Sequence, residues 1–143
     1  MTARAIALIQ RFEGLRLAAY RCPAGVWTIG WGHTDGVGEG DSVTRAEADA
    51  LLRRDVGRLA ARVRELTRPR ELTANQMAAL VSFSYNVGAG NFGRSTLRRM
   101  ILANPDDPRI AAEFARWRFA GGRELPGLVA RRAAEAELYF AKE

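Results

Sequence analysis

A glycine-rich segment near the start of the chain constrains the fold most, because it separates one helical pattern from several others. Residues 15–43 contain six glycines among β-branched and aromatic residues, namely Gly25, Gly30, Gly32, Gly36, Gly38 and Gly40. Glycine at this density disfavours a helix, and the β-forming residues between the glycines predict short strands joined by tight turns. The segment therefore predicts a small twisted sheet.

Helical patterns occupy the rest of the chain. Residues 2–13 predict a first helix, and two capping boxes, at 44–47 (TRAE) and 73–76 (TANQ), predict the starts of two more. The second box opens an unusually apolar helix, Met77 to Val87, which we predict to be the buried centre, with Gly88 and Gly90 ending it. Shorter helices are predicted over 95–103, 107–119 and 128–141, with a break at Gly121-Gly122.

This order of elements predicts one α+β domain over residues 1–143. We expect a small β lobe over about 14–43 and a larger helical lobe made of 1–13 and 44–143, with an active-site cleft between the lobes.

Composition narrows the partners that the chain can have. The formal charge is +6, which suits an acidic partner such as nucleic acid, a bacterial envelope or lipid head groups. The arginines are spread along the helices and no nucleic-acid-binding motif is present, so we expect no specific nucleic-acid binding. The sequence has no apolar run of about 18 residues, so no membrane span is predicted. No leader peptide is evident. One cysteine and one histidine predict neither a disulfide nor a metal site.

Glu13 lies on the apolar face of the first predicted helix, at helical spacing from Ile6 and Ile9, and Gly14 follows as a stop. Burial and the negative end of the helix dipole both disfavour an ionised carboxylate there. A carboxyl that keeps its proton can act as a general acid, so Glu13 is a candidate catalytic residue. The alternative is a partly buried glutamate that pairs with one of the many arginines.

A carboxyl, a thiol and a hydroxyl follow one another at fixed spacing in Glu13, Cys22 and Thr28. Four further segments follow in order: TIGWGH (28–33), VTRAEA (43–48), FSYNVG (83–88) and LPGLVARR (125–132). With these segments the chain resembles the phage-type lysozymes, the endolysins of glycoside hydrolase family 24, over nearly its whole length. The short segment between His33 and Thr44 is similar to the lambdoid branch of that family.

The resemblance implies a lysozyme-like fold and hydrolysis of the β-1,4 bond between N-acetylmuramic acid and N-acetylglucosamine in peptidoglycan, with no cofactor and no metal. By analogy Glu13 protonates the leaving oxygen and Thr28 helps to hold the attacking water. Cys22 stands where many relatives carry aspartate, so three interpretations stay open: a base that gives inversion, a nucleophile that gives retention, or an inert core thiol. As a base the thiol needs activation, for which Arg21 is a candidate.

The resemblance also aligns His33 and Asp55 with a structural ion pair between sheet and helix. It places Tyr85, Asn86 and Gly88 in the sugar-binding cleft, although Gly88 could simply end a helix.

The implied biological role is lysis of a bacterial host. We expect a monomer that waits in the host cytoplasm and acts on peptidoglycan in the periplasm, with access through a holin-made lesion or by an export anchor. The alternatives are a hydrolase of chitin-like polymers, a non-catalytic wall-binding protein, and a basic nucleic-acid-binding protein that retains the fold.

Overall fold

The computed structural model describes residues 1–143 and has seven helices and two small antiparallel sheets, which confirms the predicted α+β class. The helices are α1 (Thr2–Glu13), α2 (Arg45–Thr67), α3 (Ala74–Val87), α4 (Ala89–Gly93), α5 (Thr96–Ala103), α6 (Ile110–Ala115) and α7 (Pro126–Phe140). The strands are β1 (Arg16–Arg21), β2 (Trp27–Gly30), β3 (Phe119–Ala120) and β4 (Arg123–Glu124).

The first sheet forms where the glycine-rich segment predicts it. Strands β1 and β2 pair antiparallel, with Tyr20 opposite Thr28. Two isolated bridges, Ala18 with Ser42 and Ile29 with His33, attach the following loop to these strands. The sheet therefore returns the chain that leaves α1 to the start of α2.

Helix α2 begins at the predicted capping box and connects this sheet to the remaining helices. The Glu47 backbone N–H donates to the Thr44 hydroxyl at 3.1 Å, and the Thr44 N–H donates to the Glu47 carboxylate at 3.0 Å. The helix buries a stripe formed by Ala48, Leu52, Val56, Ala60 and Val63. At 23 residues it is about 34 Å long, enough to border the sheet at one end and the core helices at the other.

Helix α3 is the buried centre of the molecule, as its apolar sequence predicts. Every residue from Asn75 to Ser84 is buried, and α1, α2 and α7 all pack against it. Phe83 meets the rings of Phe92, Phe114 and Trp117 edge-on, with centroids 5.5 to 6.2 Å apart. Gly88 ends α3 with a φ of 95°, but the prediction that Gly90 also ends it is wrong, because Gly90 lies inside α4.

The region between α6 and α7 differs from the prediction. The helix predicted over 107–119 covers only Ile110–Ala115, and the chain then forms a short hairpin from β3 and β4. Gly121 and Gly122 form its two-residue turn with φ of 58° and 77°, a conformation that side-chain-bearing residues rarely adopt. The glycine pair therefore marks a hairpin turn and not merely a break between helices.

No helix of the structure combines the length and the apolar character that crossing a lipid bilayer requires.

Candidate active site

Glu13 is the last residue of α1, and its carboxyl group lies against the backbone that follows β2. Its side chain is 22% exposed. A Cβ atom placed on Gly32 would lie 3.0 Å from Glu13 Oε2 and 3.4 Å from a ring carbon of Tyr85. Gly32 also has a φ of 96°, so both space and backbone conformation favour glycine there. The glycine allows the carboxyl group of Glu13 to reach the junction between the sheet and the helices.

Arg131 is the charged partner of Glu13. Its Nη1 donates to Glu13 Oε1 at 2.6 Å, and the arginine side chain is only 4% exposed. The same guanidinium donates to the Ser82 carbonyl at 3.1 Å and to Glu135 Oε2 at 3.3 Å. The arginine partner weighed for Glu13 is therefore present in the structure.

Glu135 anchors this network in the interior of the helical lobe. Its side chain is 0% exposed and accepts a hydrogen bond of 2.6 Å from the Ser82 hydroxyl. Arg132 contacts the same carboxylate: its Nη2 donates to Glu135 Oε2 at 3.3 Å, and its Nε lies 2.7 Å from Glu135 Oε1 without hydrogen-bond geometry. Because Glu135 lies between two guanidiniums, it fixes the position of Arg131 and thereby of the Glu13 carboxyl group.

Cys22 lies in the β1–β2 turn and Thr28 lies on β2, so the hairpin brings the thiol and the hydroxyl together. Hydrogen bonding from the Val26 backbone N–H lowers the pKa of the Cys22 thiol. Partial burial opposes this effect, and the Ala24 N–H and the Thr28 hydroxyl add to the lowering. Thr28 is 4% exposed, and the Val26 carbonyl, 3.0 Å from its hydroxyl, competes with the thiol for the single hydroxyl proton.

The activation that we expected from Arg21 does not occur in the structure. The Arg21 guanidinium lies over the ring of Trp27, 5.1 Å from its centroid, and backbone groups of the turn act on the thiol instead. The strand that carries Thr28 leads on to Gly32, which lies against the Glu13 carboxyl group.

A cleft of about 380 Å³ opens beside this junction. Its lining comes from the loop after β2, from α2 and from the end of α3: Gly32, His33, Thr34, Asp35, Asp55, Arg58, Leu59, Arg62, Ser84 and Tyr85. Gly32 and Tyr85 belong both to this lining and to the surroundings of Glu13. Gly32 and Tyr85 therefore separate this cleft from Glu13, and neither Glu13 nor Cys22 nor Thr28 lines it.

His33 and Asp55 contact each other at the base of this cleft. His33 Nδ1 lies 2.6 Å from Asp55 Oδ2, and His33 Nε2 lies 2.8 Å from the backbone carbonyl of Asp35. The histidine is 8% exposed. Because both ring nitrogens have an oxygen partner, the imidazole joins the loop after β2 to helix α2.

The three residues predicted to bind sugar do not share one surface. Tyr85 lines the cleft and donates from its hydroxyl to the Trp31 carbonyl at 2.7 Å. Burial raises the pKa of Tyr85, and the Asp55 and Glu13 carboxylates raise it further against the opposing charge of Arg131, so the phenol stays a donor at neutral pH. Asn86 lines a separate groove of about 370 Å³ with Trp117, Phe119 and Leu125 among its neighbours, and Gly88 is exposed at the turn after α3.

Comparison with known proteins decides the family. The phage lysozyme family description matches residues 10–135. The chain belongs to the phage lysozyme family. An endolysin of Acyrthosiphon pisum secondary endosymbiont phage 1 is 40% identical over 143 residues, which cover 97% of each chain. A protein of Enterobacteria phage P21 that carries the name SAR-endolysin is 38% identical over 88% of this chain and 76% of its own length.

Solved structures support the same family assignment. The muramidase domain of SpmX from Asticaccaulis excentricus superposes with a TM-score of 0.86 at 38% identity, covering 96% of this chain and 95% of that domain. The predicted family, the lysozyme-like fold and the enzyme class are thus confirmed. The chain is a glycoside hydrolase, a lysozyme that acts on peptidoglycan in host lysis.

Proposed function

We propose that this lysozyme cleaves the β-1,4 bond between N-acetylmuramic acid and N-acetylglucosamine, with Glu13 as the general acid and Cys22 as the general base. The observation that carries the proposal is that two acid–base groups, Glu13 and Cys22, have different surroundings. Arg131 holds the Glu13 carboxyl group against Gly32, at the junction between the sheet and the helices, and the Cys22 thiol, beside Thr28, has a lowered pKa. Two acid–base groups with separate environments are what a glycoside hydrolase requires.

Glu13 gives its proton to the glycosidic oxygen as the bond to the anomeric carbon breaks. The carboxylate that remains is negatively charged, and Arg131 is already in hydrogen-bonding position 2.6 Å away to stabilise it. Because Ser82 and Glu135 hold the same guanidinium, Arg131 needs no rearrangement during the step. Arg131 therefore acts on the reaction by positioning and stabilising Glu13.

Cys22 acts on the opposite side of the sugar. Its thiolate takes one proton from a water molecule whose oxygen bonds to the anomeric carbon, and the Thr28 hydroxyl orients that water. Glu13 has meanwhile lost one proton to the leaving group, so the products are the hydrolysed strand, a carboxylate and a thiol. The lowered pKa of Cys22 increases the thiolate fraction near neutral pH, and attack from the far side inverts the anomeric configuration.

Substrate contacts are assigned to Tyr85, Asn86 and Gly88. Tyr85 fixes the wall of the cleft through its bond to the Trp31 carbonyl. The Asn86 amide, beside the indole of Trp117, offers a donor and an acceptor for N-acetyl or hydroxyl groups, and an indole face suits a sugar ring. At Gly88 the backbone is exposed, so a ligand can approach it closely.

His33 and Asp55 take a structural role in this proposal. Their 2.6 Å contact joins the loop that carries Gly32 to helix α2, so it maintains the position of the wall next to Glu13.

For delivery, we propose that the lysozyme is a monomer that waits in the host cytoplasm and reaches periplasmic peptidoglycan after a holin has opened the inner membrane. Lysis of chloroform-treated cells, with no lysis of intact cells by added protein, would support this order of events.

The catalytic assignment is tested by the release of reducing sugars from purified murein sacculi. Glu13→Gln should lower kcat by at least about 100-fold, the usual contribution of a general acid, with an unchanged melting temperature. Cys22→Ser should also lose most activity while it remains folded. Glu137→Gln, an exposed substitution on α7, is the matched control and should keep full activity. Wild-type activity in Glu13→Gln would reject the assignment.

A further inference from the structure

The indole of Trp31, in the loop that follows β2, is bound by a carboxylate of helix α2. Trp31 is 8% exposed, and its Nε1 donates a hydrogen bond of 2.8 Å to Asp49 Oδ1. An indole N–H can only donate, and a carboxylate acceptor gives it a strong, charge-assisted bond. Arg45 is the other partner of Asp49, but its Nε lies 4.0 Å from Oδ2 and its side chain is 69% exposed. The bond to Trp31 is therefore the main contact of the Asp49 carboxylate.

The peptide group between Trp31 and Gly32 is held from two sides. The Tyr85 hydroxyl of α3 donates to its carbonyl oxygen at 2.7 Å. Asp49 of α2 holds the Trp31 side chain, which leaves the backbone at the other end of the same peptide group. Because the peptide group is planar, its carbonyl oxygen and the Gly32 Cα atom keep a fixed relation. Helices α2 and α3 thus determine together where Gly32 lies.

Gly32 faces the second oxygen of the Glu13 carboxyl group. Arg131 donates to Oε1 at 2.6 Å, whereas Oε2 lies 3.0 Å from the point where a Cβ atom of residue 32 would be. The carboxyl group is therefore confined between a guanidinium and a stretch of backbone. A displacement of Gly32 would allow the carboxyl group to rotate away from the orientation that the structure shows.

We infer that Asp49 is a positioning residue for the general acid. It acts on Glu13 indirectly, through the Trp31 indole and the Gly32 backbone, and so keeps the Glu13 carboxyl group in one orientation. The inference rests on the proposed role of Glu13 and adds a residue from a different helix to the groups on which that role depends. The orientation of an acid matters in the transition state more than in substrate binding, so loss of the bond should lower kcat and leave KM nearly unchanged.

The test measures kcat and KM on a soluble glycan fragment for both partners of the bond. Asp49→Ala removes the acceptor, Asp49→Asn keeps an acceptor oxygen without the charge, and Trp31→Phe removes the donor while it keeps an aromatic ring. The control is Glu65→Ala, which removes a carboxylate from the same helix. Glu65 is 66% exposed and pairs only with Arg62, which is itself 53% exposed. All assays are run well below the lowest melting temperature of the set, so every variant is folded.

Asp49→Ala should lower kcat about tenfold and change KM by less than about twofold, since misplacing a catalytic group by about 1 Å can cost about 100-fold. Asp49→Asn should recover most of this loss. Trp31→Phe should lose as much as Asp49→Ala, and the double variant no more than either, because the two side chains act through one bond. Glu65→Ala should keep the wild-type kcat. An unchanged kcat in Asp49→Ala, losses that add in the double variant, or no recovery in Asp49→Asn would overturn the inference.

A second background separates this inference from the proposed function. If Asp49 acts through Glu13, Asp49→Ala should cause no further loss in a Glu13→Gln enzyme. A further loss of about tenfold there would show that Asp49 acts on something other than the acid, and would overturn the inference alone. Wild-type activity in Glu13→Gln itself would overturn the proposed function, and the inference with it.

Discussion

Replacing Glu135 with glutamine removes the only carboxylate that lies between Arg131 and Arg132. All three side chains are buried, at 0%, 4% and 1% exposure. Glutamine keeps the shape and can still accept the 2.6 Å bond from the Ser82 hydroxyl, so the substitution tests the charge and not the packing. The substitution leaves the guanidinium groups of Arg131 and Arg132 buried without the carboxylate of α7 that neutralised their charge.

Breaking a buried ion pair from one side costs about 3 to 5 kcal/mol of unfolding free energy. The retained Ser82 bond places the expected loss near the lower end, at about 3 kcal/mol. With an unfolding entropy of about 2.1 cal/mol/K per residue, this chain of 143 residues loses about 10 °C of melting temperature for that change.

Thermal unfolding followed by circular dichroism measures this loss at neutral pH. Glu137→Gln is the control, because Glu137 is an exposed residue of the same helix without an ion pair, and its melting temperature should change by less than about 1 °C. A melting temperature of Glu135→Gln within about 2 °C of the wild type would show that the charge of Glu135 does not stabilise the two buried arginines. That result would refute the role given to Glu135 in the network.

Three further predictions concern single residues. Cys22→Asp should keep activity and move the rising limb of the pH–kcat profile to lower pH, because a base works only when deprotonated and aspartate is the stronger acid. The lowered pKa of Cys22 makes this shift smaller than the difference between an ordinary cysteine and an ordinary aspartate. An unmoved limb would remove Cys22 from the mechanism. Asp55→Asn weakens the bond to His33 and should cost about 2 kcal/mol in a denaturant titration, and no change in stability would argue against the pair. Thr44→Ala removes the cap of α2 and should cost about 1 kcal/mol with hydrolysis unchanged, whereas loss of activity at constant stability would contradict a purely structural cap.

Local sequence signals predicted much of the fold. The two capping boxes predicted the starts of α2 and α3, because the hydroxyl and the carboxyl or amide that satisfy the first turn lie within four residues of chain. The β3–β4 hairpin was missed because strands of two residues are too short to show a periodic pattern. Its glycine pair was the available signal.

The candidate site was predictable where it depends on neighbours in the chain. The spacing of Cys22 and Thr28 in one hairpin is local, whereas Arg131 meets Glu13 across 118 residues of sequence, which no local pattern reveals. Arg131, Arg132 and Glu135 are charged residues of a type that helices usually expose, and only the packing of α7 against α3 shows that they are buried. The activation of Cys22 was assigned to a side chain, but it comes from backbone groups of a turn whose geometry composition does not specify.

The central claim is that water attacks from the side opposite Glu13 with Cys22 as its base, and the anomeric configuration of the first product tests this claim most directly. Proton NMR of a soluble glycan fragment, recorded within the first minutes of hydrolysis and before mutarotation, distinguishes the two outcomes. The account predicts that the new reducing end appears first as the α anomer. A β anomer as the first product would show retention, and would make Cys22 a nucleophile or leave it without the role assigned here.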